Sequence, residues 1–126
     1  MADEKIHPAA KFMFTLTSFW QDPDRVAIPL AMGNTALALG HDVVLWLTLE
    51  GVNLAKPGVA DTIFPKSFPP VKELLAAFIE GGGRIGVCPP CAKEHGVTDD
   101  MKIDQAEWMG AAAVLEIAQG RTTFSF

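Results

Sequence analysis

A chain of 126 residues falls in the size range of one domain, and its net charge of −5, with no run of lysine or arginine, argues against a nucleic-acid partner. Apolar residues make up 49% and charged residues 20%, a surplus that predicts apolar surface buried between subunits. The acidic start Met1-Ala2-Asp3-Glu4-Lys5 leads into no signal-like apolar core, which predicts a cytoplasmic protein. The longest uncharged stretch, Val26 to Gly40, contains Pro29, Gly33 and Asn34 and is too short to cross a bilayer, so no membrane span is expected.

Residues 1–9 read as a flexible lead-in to a single domain that takes in the whole chain, 1–126. Lys11 to Ser18 is a short apolar, β-branched run, the mark of a buried strand. Gln21-Asp22-Pro23-Asp24 is a helix start, with Asp22 as N-cap and Pro23 in the first helical position. The helix runs to about Leu39 and stops at Gly40, with Pro29 expected to kink it or displace its start. Asp42 to Leu49 is a second strand, apolar on both faces as in a parallel sheet covered on both sides. Residues 51–68 carry Pro57, Gly58 and Pro65 with little periodicity and read as a long loop, of a length that is often functional. Pro69-Pro70 opens a helix over Val71 to Glu80, and Gly81-Gly82-Gly83 ends it. Arg84 to Val87 is a third strand, followed by a short helix to about His95 with Gly96 as its cap. Thr98 to Asp104 is a polar connection, Trp108 to Gln119 an Ala-rich helix expected to be buried, and Thr122 to Phe126 a last strand. Strands alternating with helices predict an α/β three-layer sandwich with a mainly parallel sheet of about five strands, flavodoxin- or Rossmann-like in layout.

The chemistry concentrates in Cys88-Pro89-Pro90-Cys91, which holds the only cysteines. Cys88 stands where a strand ends and a helix begins, a junction at which free N–H groups and the helix dipole favour a thiolate. That makes Cys88 the expected nucleophile, with Cys91 placed to form a disulfide with it or to resolve an adduct on it. His95 follows Cys91 by four residues and shares its helix face; as an imidazolium it favours a thiolate, as does Lys93, while Glu94 opposes both. In open parallel sheets ligands bind beyond the carboxyl ends of the strands. The polar groups expected there are Thr17-Ser18, Glu50-Gly51 and Cys88, with loop 51–68 as their cover.

Several readings compete. Both cysteines could be small buried hydrophobes. Zinc wants four ligands, and one Cys pair with His7, His41 and His95 at unpaired spacings does not supply them, so no metal is expected. A thioredoxin-like motif fits Cys-x-x-Cys beside a βαβ pattern, but the motif follows the third strand and no proline occurs after Pro90 to face it. No Gly-x-Gly-x-x-Gly or P-loop pattern is present, and no cofactor is expected. Trp20, Trp46 and Trp108 read as core or interface residues, and His41, just past Gly40, as a surface residue at a helix end.

The chain resembles the DsrE/DsrF-like (YchN-like) family of small sulfur-relay proteins over nearly its whole length, and within it a subgroup of uncharacterised members. The resemblance rests on Lys11 to Thr17, on Ala36-Leu37-Ala38-Leu39-Gly40-His41, on Val43 to Leu47, on the turn Glu50-Gly51-Val52, and above all on Val87 to Val97. In the sulfur-relay members a cysteine after the third strand precedes a Gly-Val pair by eight residues and carries sulfur as a persulfide; Cys88 stands so before Gly96-Val97. The resemblance therefore implies Cys88 as sulfur acceptor, a protein donor or acceptor of sulfur as partner, and a homotrimer or homohexamer. The chain departs from the relay pattern in Pro89-Pro90-Cys91 and Lys93-Glu94-His95, where relay members have small residues and arginines. The added Cys91 fits a thiol–disulfide protein as well as a sulfur carrier. A non-catalytic module binding a small ligand at the strand-end rim is the third reading, and whether any enzymatic turnover exists stays open.

Overall fold

The computed structural model describes residues 9–126; the expected lead-in, Ala9 apart, and His7 lie outside the described residues. Five strands, β1 (Lys11–Leu16), β2 (Asp42–Leu47), β3 (Arg84–Val87), β4 (Ala106–Trp108) and β5 (Thr122–Ser125), form one sheet. Their spatial order is β4-β3-β2-β1-β5, and every neighbouring pair is parallel. β2 is central between β1 and β3, which is why Val43, Val44 and Leu45 are buried on both of its faces.

The helices form the outer layers. Against one face, Phe14, Leu16, Leu45 and Leu47 pack with Val26 and Leu30 of α1 (Pro23–Ala38) and Phe78 of α2 (Val71–Glu80). Against the other, Met13, Val44, Trp46 and Met109 pack with Val114 and Ile117 of α4 (Ala111–Ile117). The fold is thus the three-layer α/β sandwich the sequence predicts. Asp22 caps α1 by accepting the Arg25 N–H at 3.4 Å, with Pro23 in the first turn. The helix begins there and continues through the buried Pro29 as one element, so Pro29 does not displace its start.

Two segments differ from expectation. Residues 51–68 are not an open loop: two 3₁₀ segments, Leu49–Ala55 and Val59–Thr62, put Val52, Leu54, Ala55, Ala60 and Ile63 into the core. The first of them packs on α3 (Pro89–His95). Trp108 does not start a helix but ends β4, where it pairs with Val87 and its Nε1–H donates to Asp99 at 2.8 Å. α4 begins only at Ala111, and none of its residues is fully buried; a stripe of Ala113, Val114 and Ile117 packs on the sheet while Leu115 is exposed. Of the tryptophans, Trp46 is half-buried with its Nε1–H on the Met109 carbonyl at 2.9 Å, and Trp20 and Trp108 are exposed.

Candidate functional site

The strands facing α3 end in register. Leu16 pairs with Leu47 and Leu47 with Val87, so the next residues, Thr17, Thr48 and Cys88, stand along one carboxyl-end rim. The ladder runs one step further through Thr48 N–H to Leu16 O at 3.1 Å and Cys88 N–H to Leu47 O at 2.9 Å. This is the edge at which open parallel sheets hold ligands.

The residues expected at this rim divide. Thr17 is occupied within the sheet: its N–H and its Oγ1 both donate to the Phe126 carbonyl, at 2.7 and 2.8 Å. Ser18 is half-buried beyond it. Gly51 is buried with its Cα directly over β1, since a Cβ there would lie 2.1 Å from the Leu16 carbonyl oxygen. Glu50 is exposed and accepts a hydrogen bond from Gln21 Nε2. The structure brings Glu50 and His95 together with Cys91: all three line an open groove of about 480 Å³ with Leu49, Pro90 and Glu94.

Cys88 is the N-cap residue of α3, at the junction where a helix start favours a thiolate. Yet its side chain receives no capping hydrogen bond. Part of the reason is chemical: the first two helical residues, Pro89 and Pro90, have no N–H to donate, so of the two positions that cap such a side chain only the third, the Cys91 N–H, remains. The Ala92 N–H is committed to the Cys88 carbonyl at 2.9 Å.

Cys91, one turn in, receives what Cys88 lacks. Its sulfur lies 3.4 Å from Thr48 Oγ1. Burial pushes the Cys91 thiol up, but hydrogen bonds from the Thr48 hydroxyl, the Leu49 backbone N–H and the Cys88 thiol outweigh it and leave the group below its ordinary value. Both cysteines are free thiols. Leu49 holds φ at +50°, the sole positive φ outside glycine among the described residues. A non-glycine residue there costs on the order of 1–2 kcal/mol. That turn follows the end of β2 and sets Leu49 in the groove lining beside Cys91.

Thr48 and Leu49 are the site residues that reading the sequence misses. The apolar run suggests a strand reaching Leu49; β2 stops at Leu47, and those two residues become the rim. The one signal for them is a hydroxyl residue at a strand end beside Glu50-Gly51. A second concavity of about 280 Å³, walled mainly by Phe12, Phe14, Met32 and Phe124 with Thr35 and His41, is largely apolar and contains neither cysteine.

The sequence model of the DsrE/DsrF-like family matches residues 10–124. The uncharacterized protein MK0008 of Methanopyrus kandleri is 33% identical over 84 residues, 67% of this chain and 66% of that protein, so the chain spans slightly less than two thirds of that relative. The uncharacterized protein MJ0989 of Methanocaldococcus jannaschii is 32% identical over 97 residues, 77% of this chain and 82% of its own. Among solved structures, the YchN protein from E. coli superposes with a TM-score of 0.71 at 12% identity, over 94% of this chain and 100% of that one. At that identity the likeness is one of fold.

Proposed function

The chain belongs to the DsrE/DsrF-like family, and from that premise we propose that it accepts sulfane sulfur from a donor persulfide, holds it as a persulfide on Cys88, and passes it to a partner thiol. The observation that carries this reading is a pair of free thiols three residues apart at the carboxyl-end rim, with the Cys91 sulfur 3.4 Å from the Thr48 hydroxyl and Cys91 lining an open groove. Two adjacent free thiols, one of them favoured as thiolate, are what sulfur exchange requires. Capture breaks the S–S bond of the donor, forms a new one to a cysteine of the pair, and releases the donor as a thiolate. A partner thiolate then attacks the outer sulfur of the Cys88 persulfide and leaves Cys88 as thiolate.

The same adjacency supports a second reading, a reversible Cys88–Cys91 disulfide. Attack by Cys91 on the inner sulfur of a Cys88 persulfide expels hydrosulfide and leaves that disulfide. A homotrimer or homohexamer in the cytoplasm, with a sulfur donor or acceptor protein as partner, completes the proposal. Exposed apolar side chains such as Phe124 and Leu115 support an assembly of this kind.

The test is mass spectrometry of the reduced protein after treatment with a persulfide donor and a thiol-blocking agent, for wild type, Cys88→Ser and Cys91→Ser. Gain of one sulfur atom by the wild type, placed on Cys88 by fragmentation of the peptide that holds both cysteines, is the expected result. Loss of two hydrogens that needs both cysteines moves the function to thiol–disulfide exchange. No change in either refutes both and leaves the rim as a binding site.

A further inference from the structure

We propose that Cys91 is the attacking thiolate of the pair, with Thr48 Oγ1 as the donor that holds its sulfur anion, and that Cys88 receives sulfur from it. Rim geometry argues for this order. Thr48 Oγ1 is 3.4 Å from the Cys91 sulfur. The sulfur that borders the groove is that of Cys91; Cys88 is not among the lining residues. At Cys88, Pro90 withholds one of the two N–H donors that a helix start offers an N-cap side chain, and the Cys88 side chain receives no capping hydrogen bond. The lowered thiol of Cys91 agrees with the geometry. The charged and titratable groups around that sulfur are the Cys88 thiol, Glu50 beyond Leu49, and Glu94 and His95 on α3.

The inference rests on the sulfur-transfer reading for its electrophile. The Cys91 thiolate attacks the outer sulfur of a donor persulfide; the donor S–S bond breaks, the donor leaves as a thiolate, and Cys91 becomes the persulfide. The Cys88 thiolate attacks that outer sulfur, takes it as its own persulfide, and returns Cys91 to thiolate. Electrons and sulfur balance without a further oxidant. Thr48 is a positioning residue: it touches the nucleophile and not the donor.

Two measurements test the order. Iodoacetamide alkylation is followed against pH in Cys88→Ser, alone and with Thr48→Val or Thr48→Ser. Cys91 is expected to react about fivefold more slowly near pH 7 in Thr48→Val, with its profile moved to higher pH. Thr48→Ser, which keeps the hydroxyl, restores the rate; equal profiles for Val and wild-type Thr48 overturn the role of the hydroxyl. Rapid-quench uptake from cysteine persulfide is then compared in the single-cysteine variants. Cys91→Ser is expected to slow uptake about tenfold, and by more than Cys88→Ser does. The reverse pattern overturns the inference. If wild type takes up no sulfur while Cys91 still alkylates first and in a Thr48-dependent way, the sulfur-transfer reading fails and the assignment of Cys91 as attacking thiolate stands.

Discussion

Gly51→Ala tests whether the rim is held where it is by close packing. A Cβ at position 51 would lie 2.1 Å from the Leu16 carbonyl oxygen and 2.8 Å from its carbon. Ordinary contact begins above about 3.4 Å between carbon atoms, so the backbones must separate by roughly 1 Å. The Leu16 carbonyl cannot yield easily, because it accepts the Thr48 N–H at 3.1 Å. The displacement therefore falls on the 3₁₀ segment Leu49–Ala55, whose Val52 and Leu54 are 0% and 2% exposed. Overpacking of this kind costs about 1–3 kcal/mol. Stiffening the unfolded chain by replacing glycine returns about 0.5 kcal/mol, leaving a net loss of about 1.5 kcal/mol. For a domain of this size that is a fall in Tm of roughly 6 °C. The site should suffer with the fold, since Thr48 Oγ1 is already 3.4 Å from the Cys91 sulfur and lifting the turn breaks that contact. The assay is thermal unfolding by circular dichroism together with Cys91 alkylation in a Cys88→Ser background. A Tm unchanged within about 1 °C refutes the packing argument, and a lowered Tm with unchanged alkylation refutes the link from Gly51 to the thiol.

The other predictions concern single contacts. Pro90→Ala restores an N–H at the second helical position of α3 and should speed alkylation of Cys88, measured in Cys91→Ser; an unchanged rate refutes the missing-donor account. Gly86→Ala sets a Cβ 2.4 Å from the Met109 sulfur and 2.7 Å from its Cβ, and should destabilise by about 2 kcal/mol in urea unfolding. Adding Met109→Ala should make the two changes non-additive, and strict additivity refutes the clash. Arg84 donates twice to Glu107, at 2.8 and 2.9 Å, and holds its carboxyl below the usual carboxylate value. Both side chains are 46% exposed, so screening limits the loss in Glu107→Gln to about 0.5 kcal/mol. A carboxyl lowered in the folded state stabilises above its unfolded value and ceases to do so as pH falls through the folded one. Wild type and Glu107→Gln should therefore converge in acid, and a gap that persists there refutes the ion-pair origin.

Much of the fold is legible in the chain because long apolar runs decide it. β1, β2 and the two helices α1 and α2 stand close to their expected bounds, since burial over six or more residues leaves a periodic signal. β4 has three residues and α4 seven, too short for a period to register, and the alanines of α4 suit a half-exposed helix as well as a buried one. The 3₁₀ segments are invisible for a different reason: their buried residues, Val52, Leu54, Ala60 and Ile63, meet the core by tertiary packing and not by repeat. At the site the position of the cysteines is legible, whereas the expectation that free N–H groups favour a Cys88 thiolate leaves out Pro90, which has none to give. Thr48 is not legible, because it depends on where β2 stops, and strand ends are set by what the chain packs on next.

The Leu49 turn explains how so small a site keeps its geometry. A positive φ at leucine costs on the order of 1–2 kcal/mol and would relax if either side were free. Neither side is. Upstream, Thr48 is tied by its N–H to Leu16 O at 3.1 Å and by its carbonyl to the Gly51 N–H at 2.9 Å. Downstream, Asn53 Nδ2 donates to the Glu50 carbonyl at 2.8 Å, and Val52 and Leu54 are buried. Burying each of those side chains contributes about 1.5–3 kcal/mol, enough to offset the strain. The donors to Cys91 are thus fixed by the core behind them, while Leu49 and Glu50 remain exposed at the groove. A rim held in this way does not close over a ligand, and under the proposed sulfur transfer the donor must reach it, which suits exchange between proteins better than enclosure of a small molecule.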